Sequence, residues 1–310
     1  MTLPGERLCG FLNVLKPPGM SSAQVVGMVR HFLHGEKVGH GGTLDPEAAG
    51  VLPLMVGKAT RLFDYLQEKE KAYVVELAFG CATDTQDAQG RPAAWGSAYP
   101  SETTLRDTLR RFTGEMEQRP PLYSALKQDG KRLYQLAREG KPVDVKARKV
   151  TLYDITLLAM ARNYGALLSV RCSKGFYVRA LCHDLGQTLG CPAHMRFLLR
   201  TGSGVFTLEN AHTLESLTEA AEMGALRELL LPVDSALKHM PQAEVPEELV
   251  HAFYTGGPLP WRKFLPLHGS CAEKGAPAGF WTDGRLMAIG QRVGEGIKLR
   301  CWLGDAARPD

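Results

Sequence analysis

The stretch GHGGTLDPEAAGVLP, residues 39–53, places a single carboxylate, Asp45, between a glycine-rich approach and a proline. Gly41 and Gly42 permit backbone angles and close approaches that a side chain would forbid. Pro46 cannot donate a main-chain hydrogen bond, and it biases Asp45 away from the helical region. The pattern has two interpretations: a rigid loop that presents a functional acid, or an ordinary turn in which Asp45 caps a helix over EAAGVL.

The composition is that of a folded globular protein. The chain has 310 residues, 44% hydrophobic and 23% charged, which is enough for one large and one small domain or for two comparable domains. No apolar run is long enough to span a bilayer, and Glu6 and Arg7 interrupt the N-terminal segment, which argues against a signal or transit peptide. We therefore expect a cytoplasmic protein with no membrane partner.

The cysteines and acidic residues do not form a recognisable metal site. Seven cysteines are scattered through the chain with no CxxC pair and no histidine at zinc-binding spacing, which indicates free thiols in a reducing compartment. The segment TDTQDAQG, residues 83–90, has spaced acids but lacks the full ligand series of a calcium loop. We interpret it as a plain loop and expect no metal.

Positive charge is concentrated in one segment. Residues 119–150 contain nine Lys or Arg and three Asp or Glu, a net charge of +6, whereas the whole chain carries +4. Such a basic stretch is typical of a protein that binds a polyanion, because phosphate contacts release counterions. A solvated basic surface without a partner is the alternative that charge alone leaves open.

Hydrophobic periodicity predicts the order of the elements. A strand over 10–15 precedes a helix that Ser21 or Ser22 caps and that runs to about His34, with Gly35 as its stop. Further strands are predicted over 71–79, 147–159 and 166–172, and helices over 105–112, 131–139, 175–189 and 208–231. From about residue 246 the pattern changes to short strands with tight turns. This predicts two domains, 1–245 and 246–310, the second small and rich in strands.

Taken together, these segments resemble the bacterial tRNA pseudouridine synthase B (TruB) family. The resemblance rests on six motifs in order: KPPGMSS at 16–22, GHGGTLDPEAAGVLP at 39–53, KAYVVELAFG with TDTQDAQG at 71–90, RPPLYSALKQDGKRLYQLAREG at 119–140, CSKGFYVRALCHDLG at 172–186 and AHMRFLLRTGSGVF at 193–206. The module over 246–310 is similar, more weakly, to the PUA-like RNA-binding domain of that family.

The resemblance implies a mixed α/β (α+β) catalytic domain with a long, bent, mostly antiparallel sheet. It implies isomerisation of uridine 55 in the T-loop of tRNA, which needs no cofactor because reactant and product are isomers. Asp45 matches the catalytic aspartate of the family, which attacks C1′ of the sugar or C6 of the base, or assists removal of the C2′ proton. These three alternatives stay open.

Other site roles follow from the same resemblance. Tyr73 matches a tyrosine that stacks on the target base, and Arg179 matches an arginine that pairs with the aspartate. Tyr177 and Leu198 match pocket residues; a plain core role for Leu198 is nearly as good an interpretation. His40 matches a histidine that fills the space left by a flipped nucleotide. Phosphate contacts are expected from five basic residues: Lys16, Lys127, Lys131, Arg132 and Arg138.

Two positions depart from the family pattern, Phe176 where threonine is usual and Leu199 where arginine is usual. Neither departure alters Asp45, Tyr73 or Arg179. Three alternative functions remain: a pseudouridine synthase acting on another RNA, a chaperone that binds and refolds tRNA, and a glycoside hydrolase, which the lack of an evident second carboxylate disfavours. We expect a monomer with no obligate protein partner.

Overall fold

The computed structural model describes residues 8–66, 70–124, 145–161, 164–270 and 273–304, and the backbone of 127–128 and 131–132. The strands are β1 Cys9–Lys16, β2 Val38–His40, β3 Ala49–Gly57, β4 Lys71–Phe79, β5 Cys81–Thr83, β6 Pro92–Trp95, β7 Gly114–Gln118, β8 Lys127–Gln128, β9 Lys131–Arg132, β10 Arg148–Ala161, β11 Gly165–Cys172, β12 Ala193–Ser203, β13 Phe206–Thr207, β14 Gln242–Glu244, β15 Leu265–His268, β16 Pro277–Thr282, β17 Arg285–Val293 and β18 Gly296–Trp302. The helices are α1 Ser22–Phe32, α2 Glu102–Phe112, α3 Val178–Thr188, α4 Leu214–Glu222 and α5 Glu247–Thr255.

A nine-stranded sheet forms the larger part of the structure. Seven strands follow the order β1-β3-β12-β4-β11-β10-β7, with β2 added to β3 and β13 added to β12. Among these described strands, β3 and β12 pair in parallel and the other pairs are antiparallel. The predicted fold class, mixed α and β with a mostly antiparallel sheet, is confirmed.

The central strand β4 shows how the sheet divides the molecule into a buried and a partly open face. Tyr73, Val75 and Leu77 are buried, and the residues between them are partly exposed. A strand places alternate side chains on opposite faces, so the three buried residues share one face. That face packs with residues of α1, α2 and α3 in the main core cluster. Tyr73, one of the predicted site residues, therefore projects from the covered face of the sheet.

Helix α1 has the ends that its sequence predicts. The Ser21 hydroxyl accepts from the Gln24 N–H, and the Gln24 side chain accepts from the Ser21 N–H at 2.8 Å, which forms a capping box. Beyond the last helical residue, Gly35 has a φ of +88° and donates its N–H to the Arg30 carbonyl at 2.9 Å. This backbone conformation favours glycine, so the predicted stop at Gly35 is confirmed.

Three local predictions need correction. EAAGVL is not a helix, because Ala49–Gly57 is a strand between β1 and β12 and its residues are buried on both faces. The sequence predicts a helix over 131–139, but Lys131–Arg132 form a short strand. The remaining residues of that prediction, with Arg138 among them, lie outside the described residues. Within 208–231, only α4 and a 3₁₀ turn at 226–229 are helical.

A second sheet of five strands, in the order β15-β14-β16-β17-β18, forms the C-terminal part. Its strand β14, Gln242–Glu244, precedes the predicted domain start at residue 246. A core cluster that includes Phe11 and Val51 of the large sheet and Ile289 and Cys301 of the small one joins the two sheets. Across the described residues, no helix is long and apolar enough to span a bilayer.

Candidate active site

The loop that carries Asp45 runs from the end of β2 to the start of β3 and is held at both ends. The Ser22 hydroxyl donates to the Leu44 carbonyl at 3.0 Å and accepts from the Leu44 N–H at 2.9 Å. On the far side, Gly50 has a φ of +111°, and a Cβ there would lie 2.1 Å from the Arg200 carbonyl oxygen. Glycine is thus required where β3 meets β12, and this fixes the exit of the loop.

Lys16 supports the residue that follows Asp45. The Lys16 side chain is 0% exposed, and its ammonium donates to the carbonyl oxygens of Pro17, Met20 and Pro46 at 2.7, 2.6 and 2.8 Å. Burial lowers the pKa of Lys16 to about 8, although the carboxylates of Glu47 and Asp45 oppose this. The structure corrects the prediction that Lys16 contacts RNA phosphates, because its three donors are used inside the protein.

Arg179 brings several chain segments together at the site. It lies in the first turn of α3, its side chain is 6% exposed, and its Nε is 3.1 Å from Asp45 Oδ2 while its Nη2 is 3.4 Å from Asp45 Oδ1. The same guanidinium contacts Asp87 Oδ2 at 3.1 Å and donates to the carbonyls of Thr85 and Tyr123 at 3.3 and 2.9 Å. Two carboxylates and two carbonyls therefore orient one buried cation.

The Asp45 carboxylate is both paired and accessible. Its side chain keeps 39% of its surface exposed, so a substrate can reach the carboxylate that Arg179 holds from behind. Burial of the surroundings raises the pKa of Asp45 above its ordinary value; the charge of Arg179 lowers it, Asp87 raises it and Lys16 lowers it. Asp45 is therefore less hydrated than a carboxylate in free solution, and the buried Arg179 fixes its orientation. This arrangement suits a nucleophile or a charge-stabilising group.

Two tyrosines lie within the electrostatic reach of Asp45. Burial raises the pKa of Tyr73 to about 12, and the charge and hydrogen bond of Arg200 limit this rise. Arg200 is 1% exposed and also donates to the carbonyls of Val51 at 2.6 Å and Gly42 at 3.2 Å. Tyr177 immediately precedes α3 and is half-buried, and burial raises the pKa of its phenol. Both phenols are neutral at physiological pH.

The other residues named from the sequence have different surroundings. Leu198 is buried in the main core beside Val75 of β4, and His40 is half-buried at the end of β2, where the glycine-rich loop begins. The backbones of Lys127, Lys131 and Arg132 lie in the antiparallel pair of β8 and β9. Roles for these residues in base or phosphate contacts stay predictions.

Two residues of the site were not identified from the sequence: Asp87 and Arg200. Asp87 lies in the segment that we interpreted as a plain loop, and nothing in its spacing marks it as a partner of Arg179. Arg200 follows Leu199 in the motif AHMRFLLRTGSGVF, but its burial depends on the pairing of β12 with β4. Within the described ranges, no group of three or more His, Cys, Asp or Glu is arranged to hold a metal ion.

The buried ammonium of Lys16 is expected to contribute strongly to stability. Lys16→Met keeps the length of the side chain but leaves three partly buried carbonyl groups without their donor, so we expect the free energy of unfolding to fall by about 3 kcal/mol. Urea unfolding measures this change. Lys149→Met, at an exposed position of β10, is the control and should change stability by less than about 0.5 kcal/mol. Equal stability of the two variants would contradict the assigned role.

Comparison with known proteins adds evidence from outside this chain. A model described as "TruB family pseudouridylate synthase (N terminal domain)" matches residues 30–178, and one described as "tRNA pseudouridylate synthase B C-terminal domain" matches residues 179–238. The second match ends before the small sheet, so the PUA-like character of residues 246–310 stays a prediction.

Proteins named "tRNA pseudouridine synthase B" are similar over most of their length. The protein from Heliobacterium modesticaldum is 44% identical over 94% of this chain and 93% of its own, and that from Moorella thermoacetica is 46% identical over 80% and 82%. Among solved structures, Cbf5 in a Cbf5-Nop10-Gar1 complex has a TM-score of 0.73 and 28% identity over 97% of this chain and 90% of its own. The chain therefore belongs to the TruB family of pseudouridylate synthases.

Proposed function

We propose that this chain isomerises uridine 55 in the T-loop of tRNA to pseudouridine and that Asp45 is the catalytic carboxylate. The observation that carries the proposal is the two-point pairing of Arg179 with both oxygens of Asp45, which leaves a partly exposed and oriented carboxylate within electrostatic reach of Tyr73. The choice of tRNA is supported by similar proteins that are named tRNA pseudouridine synthase B. The target position rests on the motifs that the chain shares with that family.

The proposed reaction fits a site with a single accessible carboxylate. The C1′–N1 bond breaks, the uracil rotates, a C1′–C5 bond forms, and the proton on C5 is lost while N1 gains one. Substrate and product are isomers, so no electron or group has to come from a second reactant. Asp45 supplies the negative charge for attack at C1′ or C6, or for removal of the C2′ proton. All three routes require an ionised and oriented carboxylate, which the pairing with Arg179 favours.

Tyr73 is proposed to stack on the target base. Its ring lies on the covered face of β4, and Arg200 restrains its phenol from the next strand, β12. A ring fixed in this way loses little conformational freedom when a base stacks on it. With its pKa at about 12, the Tyr73 phenol is protonated, so it can take up the C5 proton only after it has given its own proton to another group, such as N1, and the charge of Arg200 stabilises the phenolate formed in this way.

The RNA has to deform to reach this site. A base in a folded T-loop is stacked, and extruding it costs about a few kcal/mol. We propose that His40, at the entrance of the glycine-rich loop, occupies the space that the flipped nucleotide leaves. The basic stretch over 119–150 is proposed to bind the phosphates, and residues 246–310 to act as a PUA-like RNA-binding module in a cytoplasmic monomer.

Asp45→Asn is expected to abolish turnover and to leave tRNA binding nearly unchanged, because it removes the charge with little change in size. The assay incubates an unmodified tRNA transcript with the protein and no added cofactor, then maps pseudouridine by carbodiimide labelling and primer extension. A stop at position 55 that disappears in the variant is the expected result. Asp107→Asn, on the exposed face of α2, is the control and should behave as wild type.

Each other outcome of this assay has a definite meaning. An Asn variant that keeps most of the activity would contradict the role of Asp45. A stop at another position would contradict the proposed target. Tight tRNA binding without any product from the wild-type protein would favour a tRNA-folding chaperone instead.

Asp87→Asn is expected to lower the single-turnover rate about 10- to 100-fold. The carboxylate of Asp87 holds the end of Arg179 that faces away from Asp45, and small displacements of an orienting group carry penalties of this size. Asp84→Asn, in the same loop, is the matched control, since its amide oxygen can still accept from the Arg91 N–H as the carboxylate does at 2.8 Å. Equal rates for the two variants would show that Asp87 does not orient Arg179.

A further inference from the structure

A buried amide joins the end of β7 to the start of α3. Gln118 is 2% exposed; its Nε2 donates to the Tyr177 carbonyl at 3.0 Å and its Oε1 accepts from the Tyr177 N–H at 2.7 Å. The two residues are 59 positions apart in sequence. A side-chain amide that satisfies both backbone groups of one residue acts like a strand pairing, and it fixes the position and the orientation of that peptide.

The residue held in this way is where the chain enters α3. Tyr177 has extended angles, φ −109° and ψ 110°, and its own side chain makes no capping bond. Its carbonyl also accepts the first intrahelical bond, from the Leu181 N–H at 3.1 Å. The first turn of a helix has free N–H groups and frays unless it is anchored. Gln118 supplies that anchor from outside the helix.

The anchored turn carries the guanidinium that orients Asp45. Arg179 is two residues beyond Tyr177, and its Nε is 3.1 Å from the Asp45 carboxylate. The stretch that begins at Gln118 makes a second contact with this turn, because the Tyr123 carbonyl accepts from Arg179 Nη2 at 2.9 Å. Residues 118–123 therefore hold both the backbone before Arg179 and the tip of its side chain.

We propose that Gln118 is a positioning residue for the isomerisation: its amide holds the entrance of α3 so that Arg179 stays aligned with the carboxylate of Asp45. The inference rests on the proposed function and adds a residue that is remote from the substrate. Packing alone does not require an amide here, since a methionine has nearly the same length and shape. What the amide adds is the direction of two hydrogen bonds to Tyr177.

The test compares Gln118→Met with wild type on an unmodified tRNA transcript, with enzyme in excess. We expect the single-turnover rate to fall at least about 10-fold, because a displacement of about 1 Å at an orienting group can cost about 100-fold. The Kd for tRNA should stay within about twofold, since no RNA contact changes. The acid limb of the rate profile should move to higher pH, because Arg179 then opposes the raised pKa of Asp45 less effectively.

The control and the second variant separate positioning from stability. Gln187→Met makes the same substitution at an exposed position of α3 and should leave rate and pH profile unchanged. Gln118→Asn, whose amide is too short to reach both groups of Tyr177, should reproduce the loss if Gln118→Met does not fold. A folded Gln118 variant with wild-type rate and acid limb would overturn the inference, while an inactive wild-type protein would overturn the proposed function and this inference with it.

Discussion

A guanidinium buried away from water needs an acceptor for each of its donors, and Arg179 satisfies this requirement with groups from three other parts of the chain. Asp45 comes from the glycine-rich loop, Asp87 and the Thr85 carbonyl from the loop between β5 and β6, and the Tyr123 carbonyl from the stretch after β7. Leaving a buried charge unpaired is strongly unfavourable, so these segments converge on Arg179. The contacts of Arg179 therefore bring these three segments together to form the site.

The large sheet provides the fixed frame for this convergence. Strand β3 lies between β1 and β12, and the close contact at Gly50 sets where the Asp45 loop ends. Lys16, from the end of β1, holds the Pro46 carbonyl on the other side of Asp45. Arg200 performs a similar task for Tyr73 from the neighbouring strand. Buried cations that donate to backbone carbonyls thus position the aspartate and the tyrosine, while the carboxylate itself stays open to the substrate.

Sequence patterns predicted the elements whose signals are local and missed what depends on tertiary contacts. Local patterns predicted the cap at Ser21, the stop at Gly35 and the strand over 71–79, whereas the mostly antiparallel sheet was implied by the family resemblance. EAAGVL has residues typical of a helix, but from Ala49 onward its residues belong to a strand that is buried on both faces. The burial of Lys16 and the approach of Asp87 to Arg179 could not be predicted, because each is created by contacts between segments far apart in sequence.

The measurement that most directly tests this account is the pH dependence of the single-turnover rate in the wild type and in Arg179→Lys. The account predicts that the wild-type rate falls on acidification with a midpoint above 3.8, the ordinary pKa of an aspartate, because burial favours the protonated form. Lysine keeps the positive charge but cannot pair with both oxygens of Asp45 as the guanidinium does. The midpoint should therefore rise further and the maximal rate should fall. Coincident profiles with equal maximal rates would contradict the claim that Arg179 holds Asp45 as the catalytic carboxylate.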